Sequence, residues 1–196
     1  LKCLSLFFDT YFEEGAAGDF IRTEVPMEAV LDEIPIKGFA DKIQYWGNDI
    51  VITDFKTGSL DKCNKRWEFA EPGHPQKPLG GNYWRQAVFY KILSDHQKGK
   101  NKNLHSIEFL FIEPNDKDLF DKKVMNITTD QAEIVKEQIR ETWEKIQQHD
   151  FYTGCGKPDC HWCNFVKDHK LYVSLDEAQT DPPEGRESYP QPYLVE

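Results

Sequence analysis

Two aspartates and a lysine carry the strongest chemical signal in this 196-residue chain. Asp41 stands in Gly38-Phe39-Ala40-Asp41-Lys42-Ile43, and Asp54 and Lys56 stand in Asp54-Phe55-Lys56-Thr57-Gly58. The sequence between them reads as a β-hairpin. Residues 35–45 run one way, residues 50–56 run back, and Trp46-Gly47-Asn48-Asp49 makes the turn, with Gly47 suited to the positive φ of a type II′ tip. A tip between Gly47 and Asn48 sets Asp41 directly opposite Asp54. Lys56 lies two residues beyond Asp54 and points to the same face. Two opposed carboxylates repel each other. A hard divalent cation, Mg²⁺ above all, relieves that repulsion, because it takes oxygen ligands and keeps several waters. Such an ion lowers the pKa of a bound water and polarises a phosphoryl oxygen. A lysine beside it stabilises developing charge or positions the nucleophile. These residue types at this spacing outline a phosphodiester-cleaving site. The competing reading is a solvated hairpin with ordinary surface charges.

The elements that must position these groups can be read around the hairpin. Leu4, Phe7, Phe8 and Tyr11 recur at helical spacing and predict a core helix over residues 1–12, ended by Glu13-Glu14-Gly15. Residues 20–31 read as a strand in which Pro26 favours an edge or a bulge. Asp32-Glu33 turns into the hairpin, so three antiparallel strands are expected in succession. Residues 59–81 look irregular. There Lys62, Lys65, Arg66 and Lys77 flank Trp67 and Phe69, an interleaving of bases and aromatics that suits a single nucleic-acid strand, or else a plain solvated loop. Residues 82–94 predict a helix with Tyr83, Ala87 and Tyr90 on one face and Gln86 next to Tyr90. Ser106-Ile107-Glu108-Phe109-Leu110-Phe111-Ile112 is a nearly continuous apolar strand for the middle of the sheet. Residues 123–128 predict a further strand. Thr128 and Gln131 match a capping box at the start of the longest helix, whose expected buried stripe is Val135, Ile139, Thr142 and Ile146 with Trp143 beside them.

Composition narrows the classes. The length suffices for one domain with a real core, and 39% hydrophobic with 13% aromatic residues suits a globular protein. No apolar run approaches the ~20 residues of a membrane span. Leu1-Lys2-Cys3 shows no signal-peptide pattern and no initiator Met, which predicts a piece of a longer protein. No Gly-rich loop ending in Gly-Lys-Ser/Thr marks a nucleoside-triphosphate site. The net charge of −10 argues against a general nucleic-acid binder. Half of that excess lies in residues 174–196, a Pro-rich acidic stretch with too little apolar content to fold alone. The expected division is therefore a folded domain over residues 1–173 and an acidic tail over 174–196. Cys155, Cys160 and Cys163 suggest either a thiolate metal site or free thiols. His161, His169, Cys3 and Cys63 are open candidates for a fourth ligand.

Gly38-x-x-Asp41-x-Ile43, Asp54-x-Lys56-Thr57-Gly58 and Gln86-x-x-x-Tyr90, in that order, resemble the RecB-like branch of the PD-(D/E)xK nucleases. Thr23-Glu24-Val25-Pro26 is similar to that family's upstream glutamate strand, and Cys155, Cys160 and Cys163 to its cysteine-bearing C-terminal end. Within the branch the likeness is greatest to the nuclease module at the C-terminus of superfamily 1 helicases. Two features depart from the pattern. No histidine precedes His74, where many relatives place a metal-ligand His on an early helix. The late cysteines are separated by four residues and then two, where the iron–sulphur members have a longer final gap.

The resemblance implies a restriction-endonuclease-like α/β fold, with a mixed central sheet flanked by helices. It implies Mg²⁺ or Mn²⁺ held by Asp41, Asp54 and the Phe55 carbonyl, with Glu24 as a further metal ligand for which Glu28 and Glu33 compete. Lys56 is expected to position or activate the attacking water, and Gln86 and Tyr90 to orient the site or the DNA strand. Cys155, Cys160 and Cys163 are expected at an iron–sulphur cluster or Zn²⁺. The implied activity is a metal-dependent deoxyribonuclease, an exonuclease acting beside a helicase in DNA end processing or repair. The implied location is the cytoplasm. The alternatives are a catalytically silent DNA-clamping or structural domain, and a thiolate-metal interaction module.

Overall fold

The hairpin forms where its turn chemistry places it. In the computed structural model, which describes residues 2–15, 18–74, 79–97, 102–150 and 160–168, β2 (Ile34–Trp46) and β3 (Asp49–Lys56) pair antiparallel with Trp46 opposite Asp49 and Lys42 opposite Thr53. Gly47 has a φ of +57°, and Asn48 is not among the residues of positive φ, as a type II′ tip requires. The strand before it, β1 (Phe20–Leu31), pairs antiparallel with β2. Their two-residue connection, Asp32 and Glu33, is left-handed at both positions, with φ of 46° and 70°. That is the backbone of a type I′ turn, taken here without the Gly or Asn that usually fills it.

Five strands of the described residues make one sheet in the order β1-β2-β3-β4-β5. β4 (Asn103–Phe111) lies parallel to β3, and β5 (Lys122–Met125) lies antiparallel to β4. The sheet is therefore mixed. β1 is an edge strand, where Pro26 removes no donor that an inner ladder needs. Joining parallel β3 to β4 requires a crossover, and α2 (Asn82–His96) is its helix.

Helix α2 packs on the face carrying Ile43, Ile50 and Ile52. Trp84, Ala87, Val88, Ile92 and Leu93 on it are wholly buried. Each large apolar side chain so buried contributes about 1.5–3 kcal/mol, and Trp84→Ala alone is expected to cost about 3–5 kcal/mol. Helix α1 (Lys2–Gly15) lies on the opposite face. It is not the core helix that the periodicity suggested. Phe7 and Tyr11 meet Phe120, and Phe7 also meets Phe55, while most of the surface of Leu4 and Phe8 is exposed. Hydrophobic period fixes which residues share a helix face, and it does not fix how much of that face another element covers.

Helix α3 (Thr129–Gln147) starts with the expected capping box. The Thr128 amide donates to Gln131 Oε1 at 3.1 Å, and the Gln131 amide donates to Thr128 Oγ1 at 3.3 Å. Its buried stripe is shorter than expected: Ala132 and Val135 are buried, whereas Thr142 and Ile146 are exposed. The chain divides into two units, Leu1–Glu141 and Thr142–Glu196, with the division falling inside α3. The described part of the second unit is the end of α3, the turn to Asp150, and α4 (His161–Asp168). The tail over residues 174–196 lies outside the described residues. No helix among them is long and apolar enough to cross a membrane.

Candidate active site

The alternation of β2 slips next to Asp41. Ile34, Ile36 and Ala40 are buried at even positions, and Ile43 and Tyr45 are buried at odd ones. On β1, Glu24 takes a left-handed φ of 49° at the same level, between the pairs Thr23–Lys42 and Val25–Ala40. The regular β2–β3 ladder also stops here, at Lys42 and Thr53. Asp41 takes over where the ladder ends: its Oδ2 accepts the Phe55 amide at 2.8 Å. The direct opposition of Asp41 and Asp54 is thereby relieved, since one carboxylate is turned onto the neighbouring backbone. Irregular pairing next to a site is a common way to re-aim a side chain.

Asp54 is only 3% exposed. It sits on β3 with strands on both sides and α2 above. Tyr90 hydroxyl donates to its Oδ2 at 2.7 Å, and Gln86 Nε2 donates to the same oxygen at 2.6 Å. Lys56 Nζ lies 2.5 Å from Oδ1, an ion pair without the alignment of a hydrogen bond. Gln86 also accepts from Lys56 Nζ through Oε1 at 2.8 Å, so this one amide bridges acid and base. Tyr90 hydroxyl lies 3.1 Å from the Phe39 carbonyl as well. Burial, and then the charge of Asp54, push the Tyr90 pKa well above the usual tyrosine value. The hydroxyl therefore stays protonated and remains a donor to Asp54.

The structure thus gathers Asp54, Lys56, Gln86 and Tyr90 into one bonded cluster, with Asp41 adjoining through Phe55. The helical spacing of Gln86 and Tyr90 delivers both to Asp54 because residues four apart share a helix face. Tyr83 lies on that face too, three residues before Gln86. Its ring centre is 4.8 Å from Lys56 Nζ, and the ring of Phe109 is 5.4 Å from it. Sequence reasoning gave neither ring a part in the site. The spacing of Tyr83, Gln86 and Tyr90 could have found the first, but only the β3–β4 register, with Phe109 beside Asp54, could find the second.

Glu24 falls in the same row as Asp41 by register but is exposed, and among the described residues no three His, Cys, Asp or Glu side chains converge to hold a metal ion. Glu28 pairs across to Lys37, and Glu33 is in the β1–β2 turn. Residues 59–81 are less irregular than expected, since Leu60–Trp67 is a 3₁₀ helix. Trp67 is packed against Tyr83, Phe109 and Phe111 rather than offered for base stacking, whereas Phe69 is exposed and Lys62, Lys65 and Arg66 face solvent. Lys77 and Cys155 lie outside the described residues, as does the side chain of Cys163. Cys160 begins the turn into α4. Cys63 is buried, with its thiol donating to the Ser59 carbonyl.

The donor chemistry suits a hard divalent ion. Asp41 and Asp54 each have Oδ2 held by protein donors. Among the described residues, Oδ1 of Asp54 has no hydrogen-bond donor and lies against the Lys56 ammonium. The amide and carbonyl of one strand residue point to the same side, so the Phe55 carbonyl faces the side where Asp41 holds its amide and the ladder has ended. Two carboxylate oxygens and a main-chain carbonyl are a set that Mg²⁺ or Mn²⁺ accepts, with water in the remaining positions.

Among solved structures, the fold resembles a protein from Eubacterium rectale provisionally called an exonuclease, at 15% identity and a TM-score of 0.46, over 83% of this chain and 57% of that one. It also resembles a protein named SSO0001, at 19% identity and a TM-score of 0.41, over 88% of this chain and 66% of that one. The chain thus spans less than two thirds of the length of either. No curated protein matches it in sequence. The sequence profile of the PD-(D/E)XK nuclease superfamily matches residues 2–167. With that match over most of its length, and a mixed sheet that gathers an aspartate and a lysine from one strand end, the chain belongs to the PD-(D/E)XK nuclease superfamily.

Proposed function

We propose that this chain is a divalent-metal-dependent deoxyribonuclease module of the RecB-like branch, working as an exonuclease beside a helicase in DNA end processing or repair. The observation that carries the reading is the bonded cluster on one strand end, in which Tyr90, Gln86 and Lys56 all converge on the Asp54 carboxylate. Asp41, Asp54 and the Phe55 carbonyl would hold Mg²⁺ or Mn²⁺, which supplies a polarised phosphoryl oxygen and a more acidic water. Lys56 sits where a donor is needed to orient a nucleophilic water or to meet charge on the phosphoryl oxygens. Gln86 fixes Lys56 and Asp54 relative to each other, and Tyr90 holds the Asp54 carboxylate in place through its hydroxyl. The test is degradation of linear DNA in Mg²⁺ or Mn²⁺ by the wild-type chain and by Lys56→Ala and Asp54→Ala. Loss of cleavage in both variants is the expected result; equal cleavage by all three proteins defeats the assignment.

A second reading has one observation in its favour. Lys56 already neutralises Asp54 at 2.5 Å, which is also how a silent, DNA-clamping relative would stabilise a buried acid. That reading expects strand binding without cleavage in either metal.

A further inference from the structure

We infer that Arg66 binds a phosphate of the substrate strand about one nucleotide step from the scissile phosphodiester, and that Tyr83 is its positioning residue. This rests on the proposed nuclease reading and adds a subsite to it. The 3₁₀ helix Leu60–Trp67 follows directly on Lys56-Thr57-Gly58, so the chain that supplies Lys56 also supplies Arg66. The end of that helix is held to the start of α2. Gly81 amide donates to the Glu68 carbonyl at 2.8 Å, and a Cβ at Gly81 would overlap the Arg66 carbonyl. Only glycine allows so close an approach. Arg66 backbone is thus fixed beside Tyr83, and Arg66 Nη1 donates to the Tyr83 hydroxyl at 2.5 Å.

The ring of Tyr83 ties this cation to the active site. Its centre is 4.8 Å from Lys56 Nζ and 4.9 Å from the Arg66 guanidinium carbon, so the two cations are no more than about 10 Å apart. Neighbouring phosphates on one strand fall within that bound. Lys56 is 16% exposed, whereas Arg66 faces solvent. Among the described residues, no acid pairs with Arg66 and Tyr83 is its one hydrogen-bond partner. In a chain of net charge −10, a solvent-facing arginine without an acid partner, next to a lysine already paired with Asp54, is open to an incoming anion. Its fork offers paired donors that match phosphate geometry, and the tyrosine bond uses only one of its five N–H groups.

The test uses the full chain and a labelled single-stranded oligonucleotide. Steady-state cleavage gives KM and kcat, and binding to the Lys56→Ala protein across a salt series gives the electrostatic contribution without turnover. Arg66→Ala is expected to raise KM about tenfold or more with kcat within about twofold, and to lower the slope of log affinity against log salt by about 0.7. Arg66→Lys is expected to restore the slope but only part of KM, because it keeps the charge and loses the fork. Tyr83→Phe, which keeps the ring over Lys56, is expected to raise KM about threefold with the slope unchanged. A cleaving wild type whose KM and salt slope are unmoved by Arg66→Ala overturns the Arg66 site and leaves the nuclease reading standing. A wild type that binds the strand but does not cut overturns the nuclease reading, and the salt slope still decides Arg66. A wild type that does neither overturns both.

Discussion

Asp54 and Asp41 occupy one row of the sheet, yet their surroundings differ in kind. Asp54 lies on the central strand, nearly sealed from water, and is held by a tyrosine, an amide and an ammonium. Asp41 is half-buried where a ladder ends, and its bond is to one backbone amide. A carboxylate in the middle of a sheet has to be met by dedicated side chains, because every backbone donor there is already committed. A carboxylate at the end of a ladder can instead use an amide that the ladder has released. On the proposed nuclease reading, chemistry and stability are coupled at Asp54 and largely separate at Asp41.

The contrast between the two acids is greatest at Asp54. Asp54→Ala is expected to abolish cleavage, by about three orders of magnitude or more if the acid holds a metal. It also strands the Lys56 ammonium in a nearly buried place, at a cost of about 3–5 kcal/mol. Urea denaturation and a cleavage assay together read both effects. Asp41→Ala is expected to lose a comparable share of activity while costing only about 1 kcal/mol of stability. If the two alanine variants unfold at the same urea concentration, the contrast between the acids is wrong.

Tyr90→Phe sharpens the Asp54 side. It removes one of two donors to Oδ2 and is expected to cost about 1–2 kcal/mol, with cleavage reduced about tenfold. It also has a pH signature. Tyr90 holds its proton more tightly in the folded state, so its contribution is fully present below the ordinary tyrosine pKa of about 10 and declines as pH rises above it. The Tyr90→Phe protein is expected to lack that part of the alkaline loss of stability, which a denaturation series from pH 8 upward measures. The smallest effect is expected at Glu24→Gly. It relieves a left-handed backbone and is expected to stabilise by about 0.5–1 kcal/mol with cleavage changed less than twofold. A tenfold loss of cleavage there would bring a third acid into the site.

Much of the candidate site's geometry was legible because it is built from short-range rules. The register of the β2–β3 hairpin follows from a two-residue turn at Gly47-Asn48, and turn length fixes pairing. The delivery of Gln86 and Tyr90 to one place follows from helix period. The capping box at Thr128 and Gln131 is equally local. The readings that failed were those about coverage. Phe8 and Ile146 have the period of buried residues and are exposed, because nothing in a helix's own sequence says how far a neighbour extends over it. Trp67 was read as a stacking residue from its basic neighbours, and it is packed because β4 places Phe109 and Phe111 beneath it.

Residue types and local spacing fix the parts of the candidate site: the Asp54 and Lys56 pair on one strand face, the turn that brings Asp41 level with them, and the helix face that carries Gln86 and Tyr90. The tertiary structure alone decided which contacts those parts make. It ended the ladder at Lys42, turned Asp41 onto the Phe55 amide, placed Tyr83 and Phe109 against Lys56, and left Arg66 beside them. The physical reason is range. Turn type and helix period act over a few residues, whereas burial and charge pairing depend on what the fold brings from residues far away in the chain.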